Sequence, residues 1–494
     1  MTLTHPAARP ATGTPPTRGT ADGAGSPGSS DRRGRLLDTV VPRLLLVAVP
    51  ALVVWAVHGP VGDPDTFWHL RAGEQLLRTW SFLPADDWSA FNTRPWVLHE
   101  WAPEVLLALA ARVDGLAGVV VLRQVGLVLV VAAVLALCRS RGTLLQALIG
   151  TTVAVVGLAP SLGPRPQLVS FALLAVTVRA WLASADDRRP RWWLVGLTWV
   201  WACCHGFWVL GPLVGAVLAV GVLLDERAAG RDPRSARPLL LVPVLAGLAG
   251  LLTPVGYRTL TAAMGVGDTA QYVTEWAAPS LRTPTVAVPV LALAAVAVVW
   301  ARRRRSWSWV RVGLWLAALL ACLLALRTVA VGAVLLAPLV TEALRGPADP
   351  PAPRRLPRVE GALLAGTALV VLVASLLTAS DRAARVPTGL DAALDALPAG
   401  TVVYDWYDVG GWLDWAHPDL SLVVDGRTEL FNQDYLDRYQ RAAFTQPGWQ
   451  DAFASYGATA AVLPVDSPLA DALVDRSGWR VVAVADGYRL LRHP

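Results

Sequence analysis

The chain has 494 residues, 54% of them hydrophobic and 16% charged, with a mean hydropathy of +0.46; too few polar side chains remain to coat a water-soluble globule of that length. The net charge of +6 hides an asymmetry, because residues 380–494 carry 9 Arg against 16 Asp and Glu, a net of −7, which leaves +13 on residues 1–379. These figures exclude a disordered, collagenous or coiled-coil chain, and nucleic acid is not an expected partner, since the arginines are dispersed between apolar runs and form no stripe.

Residues 1–36 are rich in Pro, Gly, Ser and Thr and lack apolar periodicity, so they read as a disordered cytoplasmic tail. A transmembrane domain is expected over 37–379, where apolar segments recur at about 37–57, 116–137, 143–162, 166–184, 191–205, 206–224, 238–252, 285–301, 308–327, 328–345 and 360–379. Cys138, Cys203, Cys204 and Cys322 sit in or beside these runs, without disulfide or zinc-ligand spacing, and read as packing residues. If all eleven segments cross and the tail is cytoplasmic, the loops holding Arg139 and Arg141, Arg188, Arg189 and Arg191, Arg227 to Arg237, Arg302 to Arg305, and Arg354, Arg355 and Arg358 all fall inside. That agreement requires 101–113 (WAPEVLLALAARV) to be an interfacial helix; counted as a twelfth span, it inverts every later loop.

On this topology the outer face collects Asp63, Asp65, His69, His99, Glu100, Arg165, His205, Tyr257, Glu275, Trp276 and Arg327. A carrier would more naturally place ionisable groups along its helices, where only Arg123 and Gln124 stand out. The first outer loop, 58–100, is the densest stretch. GDPDTFWHLRAGEQLL sets Asp63 and Asp65 two apart beside a Trp-His pair, and FLPADDWSAFNTRPWVLHEW adds Asp86, Asp87, His99 and Glu100 among tryptophans that suit an interface. A carboxylate pair at a membrane surface can deprotonate an acceptor, or bind a divalent cation that neutralises a phosphate leaving group; an Asp-Pro-Asp turn is the plain alternative.

Residues 386–494 read as a small extracytoplasmic α/β domain, with strands at 401–405, 420–426, 459–464, 480–486 and 488–492 and helices near 388–396, 433–443, 447–455 and 467–475. Asp405, Asp408, Asp425, Arg427 and Glu429 gather at the ends of two of these strands. DVGGW reads as a turn that lets backbone approach a ligand, so Asp425 and Arg427 are candidates for holding sugar or acceptor; a salt-bridged turn that packs the domain onto the outer loops is the alternative.

An acidic motif after one N-terminal span, a His/Trp/Glu element before the next helix, and many further spans resemble the C-type glycosyltransferase (GT-C) superfamily, membrane enzymes that use polyprenyl-phosphate sugars. Within it, D-x-D-T-x-W-H-L (63–70), P-R-P-Q-L (164–168), H-G-F (205–207), T-P-V-G-Y (253–257), T-E-W (274–276) and G-G-W-L with V-D-G-R-T-E-L (410–430) are similar to a set of bacterial polytopic membrane proteins of unassigned activity. The Pro-Pro element that many members place before the second helix is replaced by WVLHEW (96–101), which leaves the acceptor type open.

The resemblance implies an α-helical polytopic protein of the bacterial cytoplasmic (inner) membrane, N-terminus inside, that moves a sugar from a polyprenyl-phosphate donor to an extracytoplasmic acceptor: an envelope glycan, a lipid or a protein. It carries the catalytic acidic motif onto Asp63 and Asp65, as base or as ligands of a divalent cation, Mg or Mn. Arg165, His205, Arg258 and Arg327 become candidates for gripping the donor phosphate, with His69, His99 and Glu100 in support. Glu275 would be a second acid or a partner for a sugar hydroxyl. Two readings of other classes stay open: a flippase for a lipid-linked glycan, and a non-catalytic envelope assembly factor.

Overall fold

The computed structural model describes residues 39–84, 88–89, 91–262, 269–303 and 308–494. The expected tail at 1–36, Asp86 and Asp87, and Arg304 and Arg305 lie outside the described residues.

Each of the eleven apolar segments is helical. In chain order the helices up to the end of the apolar region are α1 (Val41–Ala56), α2 (Pro64–Thr79), α3 (Trp101–Arg139), α4 (Leu144–Leu158), α5 (Gln167–Asp187), α6 (Trp193–Ala202), α7 (Leu210–Ala228), α8 (Pro238–Gly250), α9 (Pro284–Arg303), α10 (Trp309–Leu324), α11 (Leu326–Ala343) and α12 (Arg358–Thr378). Among the described residues seven stretches are long and apolar enough to cross a membrane, those of α3, α4, α5, α7, α9, α11 and α12. The expected count of eleven is not reached on length because α1 and α10 have 16 residues, α6 has 10 and α8 has 13; at about 1.5 Å per residue even 16 fall short of a hydrocarbon core of about 30 Å.

Helix α3 breaks at Asp114 and Gly115, where Gly115 takes φ +54, so 101–113 is a separate arm ahead of the apolar span. The new start is capped from a distance: the Leu116 N–H donates to Asp381 Oδ1 at 2.6 Å, which settles an orphan amide of the helix. Small residues let the spans approach. A methyl on Gly150 or Gly157 would overlap Ala337, Thr341 or Ala333 across the α4–α11 seam, the packing expected where lipid offers no hydrophobic drive between helices. The four cysteines are free and buried.

After α12 come α13 (Asp391–Asp395), β1 (Val402–Asp405), α14 (Tyr407–Ala416), β2 (Ser421–Leu422), α15 (Gln433–Ala443), α16 (Trp449–Ala454), β3 (Ala460–Pro464), α17 (Pro468–Ser477), β4 (Arg480–Ala485) and β5 (Tyr488–Arg492). The sheet order is β2-β1-β3-β5-β4, with β1 parallel to β2 and β3, and β5 antiparallel to β3 and β4.

This domain does not close its core alone. One cluster joins Val61, Phe67 and Leu70 of the first outer loop and α2 to Val403, Val409 and Trp412, and a second joins Trp88, Trp96 and Leu98 to Tyr404, Val423 and Phe431. Polar links run the same way: Arg71 Nη1 meets Asp414 Oδ1 at 3.1 Å, Ser89 Oγ donates to the Leu422 carbonyl at 2.9 Å, and the Ala384 N–H donates to the Val61 carbonyl at 2.7 Å. The first outer loop and the C-terminal domain are therefore one packed layer over one end of the bundle. At the opposite end Arg141, Arg303, Arg311, Arg345 and Arg354 line a second cleft.

Candidate functional site

Asp63 caps α2, its Oδ1 accepting the Asp65 N–H at 3.1 Å, and Pro64 presets the first turn. That turn aims both carboxylates at the Gly163–Gln167 bend between α4 and α5. Arg165, held between Pro164 and Pro166, directs Nε to Asp63 Oδ2 at 2.6 Å and Nη1 to Asp65 Oδ2 at 2.8 Å and Glu275 Oε1 at 2.9 Å. Gly163 and Gly426 pack against the two aspartates, since a methyl on either would overlap the Asp63 or Asp65 carboxylate.

Asp65 feels opposing influences. Burial pushes its carboxyl up most strongly, Arg165 pulls it down, Asp63 and Glu275 push it up again, and it ends at about 6. It is thus ionised at neutral pH yet able to take a proton.

Arg327 opens α11. Its Nη1 lies 3.7 Å from Glu275 Oε2 and its Nη2 3.5 Å from His205 Nε2, with the guanidinium 5.4 Å from the Phe207 ring and 5.9 Å from that of Trp276. Its buried Nε has no hydrogen-bond partner among the described residues. The His205 tautomer follows from its neighbours. Trp201 Nε1 donates to Ser170 Oγ at 2.7 Å, so the hydroxyl is free to donate onward to His205 Nδ1 at 3.0 Å, and the Phe207 N–H donates to that same nitrogen at 3.1 Å. The proton therefore sits on Nε2, facing Glu100 and Arg327. Burial drives His205 down to about 4, so at neutral pH it is a neutral N–H donor.

Glu100 gathers three imidazoles: His99 Nε2 at 3.5 Å, His205 Nε2 at 3.6 Å and His69 Nε2 at 3.9 Å. Burial opposes its ionisation, but the imidazoles outweigh that and hold it well below the usual carboxylate range. His99, which burial alone would lower, is raised to about 9 by its hydrogen bond and charge contact with Glu100, and it is the imidazolium of the group. His69 is lowered to about 3 by burial and is neutral; its Nδ1 is fixed by Glu104 Oε1 at 3.0 Å.

These groups border one cavity of about 510 Å³. The membrane end supplies Asp65, His69, His99, Glu100, Arg165, His205, Glu275, Trp276 and Arg327, and the C-terminal domain supplies Trp406, Tyr407 and Asp408 at the start of α14, Gly426, Thr428 and Glu429 after β2, and Leu436, Tyr439 and Gln440 on α15. Asp63 stands behind this wall and reaches it through Arg165. The carrying strap is Tyr272 to Trp276, tied to α15 by Tyr272 Oη donating to Asp437 Oδ1 at 2.6 Å.

Four expectations are corrected. Arg258 is exposed and away from the cavity, because Gly256 at φ +59 reverses the chain and turns Tyr257 and Arg258 outward. Asp425 and Arg427 are fully buried and bound to each other, Nη2 to Oδ2 at 2.6 Å, with the Arg427 guanidinium lying against the adjoining rings of Trp88 and Trp96; they tie the domain to residues 58–100 and do not face a ligand. DVGGW is helical, within α14, and its glycines exist for packing, since a methyl on Gly410 or Gly411 would strike the backbone of Val424 or Pro64. Finally, Arg165 is committed to carboxylates and is not a free phosphate grip. The same commitment places a guanidinium between Asp63 and Asp65, the expected metal pair, and among the described residues no group of three His, Cys, Asp or Glu side chains is arranged to hold a metal ion.

Sequence reasoning missed Glu104, although its spacing of four from Glu100 puts both on one helical face. It also missed Ser170 and Trp201, which act from within apolar helices and carry no motif.

Solved structures share the fold of this chain. The Archaeoglobus fulgidus oligosaccharyltransferase in its apo form is matched with a TM-score of 0.54 at 12% identity, over 86% of this chain and 70% of that one. The Archaeoglobus fulgidus oligosaccharyltransferase AglB in complex with an inhibitory peptide and a dolichol-phosphate is matched with a TM-score of 0.55 at 10% identity, over 86% and 69%. The form tethered to an acceptor peptide containing the NVT sequon gives 0.53 at 11%, again over 86% and 69%. No protein-family model and no curated protein matches the sequence. At such identities the likeness concerns the fold: the chain has the GT-C fold of these oligosaccharyltransferases, with its transmembrane bundle and C-terminal domain.

Proposed function

We propose that this GT-C-fold chain is a membrane glycosyltransferase that moves a sugar from a polyprenyl-phosphate donor to an acceptor in the cavity beneath its C-terminal domain. The observation that carries the reading is the meeting, in one cavity, of a carboxylate that titrates at about 6 with the Arg327 guanidinium and the His205 Nε2–H, whose carboxylate partners stand 3.7 and 3.6 Å away.

Asp65 takes the proton of the acceptor hydroxyl or amide as that atom attacks the anomeric carbon. The bond from that carbon to the phosphate oxygen breaks, and its electron pair leaves with the lipid phosphate. Arg327 and the His205 Nε2–H meet the charge that develops there, which stabilises the transition state more than the ground state. Asp63, through Arg165, positions Asp65, and Glu275 orients Arg327 or a sugar hydroxyl. His69, His99 and Glu100 form the floor that fixes the His205 ring. The neighbouring structure with a dolichol-phosphate and an inhibitory peptide supports a lipid-phosphate donor here and leaves peptide, glycan and lipid acceptors to experiment.

The arginine-rich cleft at the far end of the bundle supports a cytoplasmic location for that end, and hence an extracytoplasmic cavity in a bacterial cytoplasmic membrane. The clustering of ionisable groups at one end favours transfer over flipping, which needs polar groups along a crossing path. The test is to supply purified protein with a panel of radiolabelled polyprenyl-phosphate sugars and candidate acceptors. Label reaching an acceptor, or water, supports transfer; saturable donor binding with no label moved by any pair supports a flippase.

A further inference from the structure

We propose that Arg165 is the resident cation of this site, holding Asp63, Asp65 and Glu275 together in the place of a divalent metal, so that the chain works without one. The inference rests on the proposed glycosyl transfer only for its activity readout.

Three carboxylates from two separate segments converge on a single guanidinium at 2.6, 2.8 and 2.9 Å. Three such charges cannot share so small a space uncompensated, and a hard cation ringed by oxygens is one common solution. Here the compensation is covalent to the chain. A guanidinium stays charged at every accessible pH and offers its N–H groups in a fixed fork, so it sets the positions of several oxygens at once. The surroundings are shaped for it. Arg165 stands between two prolines in a bend closed by its own N–H donating to the Gly163 carbonyl at 2.8 Å. The backbones of Gly163 and Gly426 pack directly on the Asp63 and Asp65 carboxylates, since a methyl on either would overlap an oxygen of its aspartate.

The arrangement makes a prediction opposite to that of a metalloenzyme: removing Arg165 should create a metal site. Mn²⁺ binding is measured by electron paramagnetic resonance on the intact protein, with neither donor nor acceptor present, for wild type, Arg165→Ala and Arg165→Ala/Asp63→Asn, each checked for its melting temperature. Wild type is expected to bind no stoichiometric Mn²⁺ and to keep its transfer rate in chelator. Arg165→Ala should bind about one Mn²⁺ per chain, and the added Asp63→Asn should weaken that binding at least tenfold. One Mn²⁺ in wild type that is lost on Asp63→Asn overturns the proposal, and so does a wild-type rate that falls in chelator and returns with Mn²⁺. A folded Arg165→Ala that binds none contradicts it too; should that variant fail to fold, the wild-type measurements decide alone. If the Mn²⁺ results come out as expected but no donor is ever turned over, the cation assignment stands and the transferase reading falls.

Discussion

Two arginines in this protein are ion-paired to aspartates and do opposite things. Arg427 is 0% exposed, grips Asp425 with two nitrogens, and is roofed by Trp88 at 4.1 Å and Trp96 at 4.5 Å. Arg165 is 18% exposed, spreads over three carboxylates that are 17–32% exposed, and faces a cavity. The first pair is sealed against exchange and locks the C-terminal domain to the first outer loop. The second keeps one side open and leaves Asp65 poised to titrate. Both are arginine–aspartate pairs, so what separates a fastener from a site is which atoms close it off from solvent.

The comparison can be broken by substitution, and the largest effect should fall on transfer. Asp65→Asn removes the proposed base and should cost about 10²–10⁴-fold in rate with the melting temperature unchanged; a folded variant with a wild-type rate would remove Asp65 from the chemistry. Arg427→Ala leaves Asp425 buried and unpaired and should destabilise the protein by about 3–5 kcal/mol, visible as a lost or lowered thermal transition. Arg165→Ala, with its carboxylates within reach of water, should lower that transition much less. Arg327→Ala should slow transfer by about 10²–10³-fold, as for the loss of one preorganised donor to a developing charge, and raise the donor KM.

A milder probe is pH. With Asp65 as the proposed base, its ionised form is the active one; its value is about 6, so the rate should be level above that and fall about tenfold per unit below it; a profile still rising between pH 7 and 8 would point to a different base. Smallest of all, Ser170→Ala frees His205 Nδ1 from one of its two donors and should change the rate only severalfold, measured as kcat.

Much of this was legible in the sequence, and the reason is physical. Lipid demands long apolar helices with satisfied backbones, so the eleven segments stand out, and the five strands of the C-terminal sheet follow from β-branched runs between turns. Alternating the segments brought Asp65, His69, Glu100, Arg165, His205, Glu275 and Arg327 to one side before any packing was known, and the structure gathers them in one cavity. What was not legible depends on contacts between distant segments. Gly410 and Gly411 look like a turn because glycine is a poor helix former, yet tertiary packing against Pro64 and Val424 holds them in α14. Arg258 and Arg427 resemble phosphate grips as residue types, and only their exposure and their burial, respectively, show otherwise. The roles of Glu104 and Ser170 depend on which imidazole nitrogen they face, which no spacing encodes.

The central claim is that this cavity performs chemistry on a lipid-linked sugar, with Asp65 as base. The most direct measurement follows donor binding and label transfer in parallel, for wild type and Asp65→Asn, with one polyprenyl-phosphate sugar. The account predicts equal binding by both proteins and transfer by wild type alone. Equal binding with no transfer by either, or transfer by both, would contradict it.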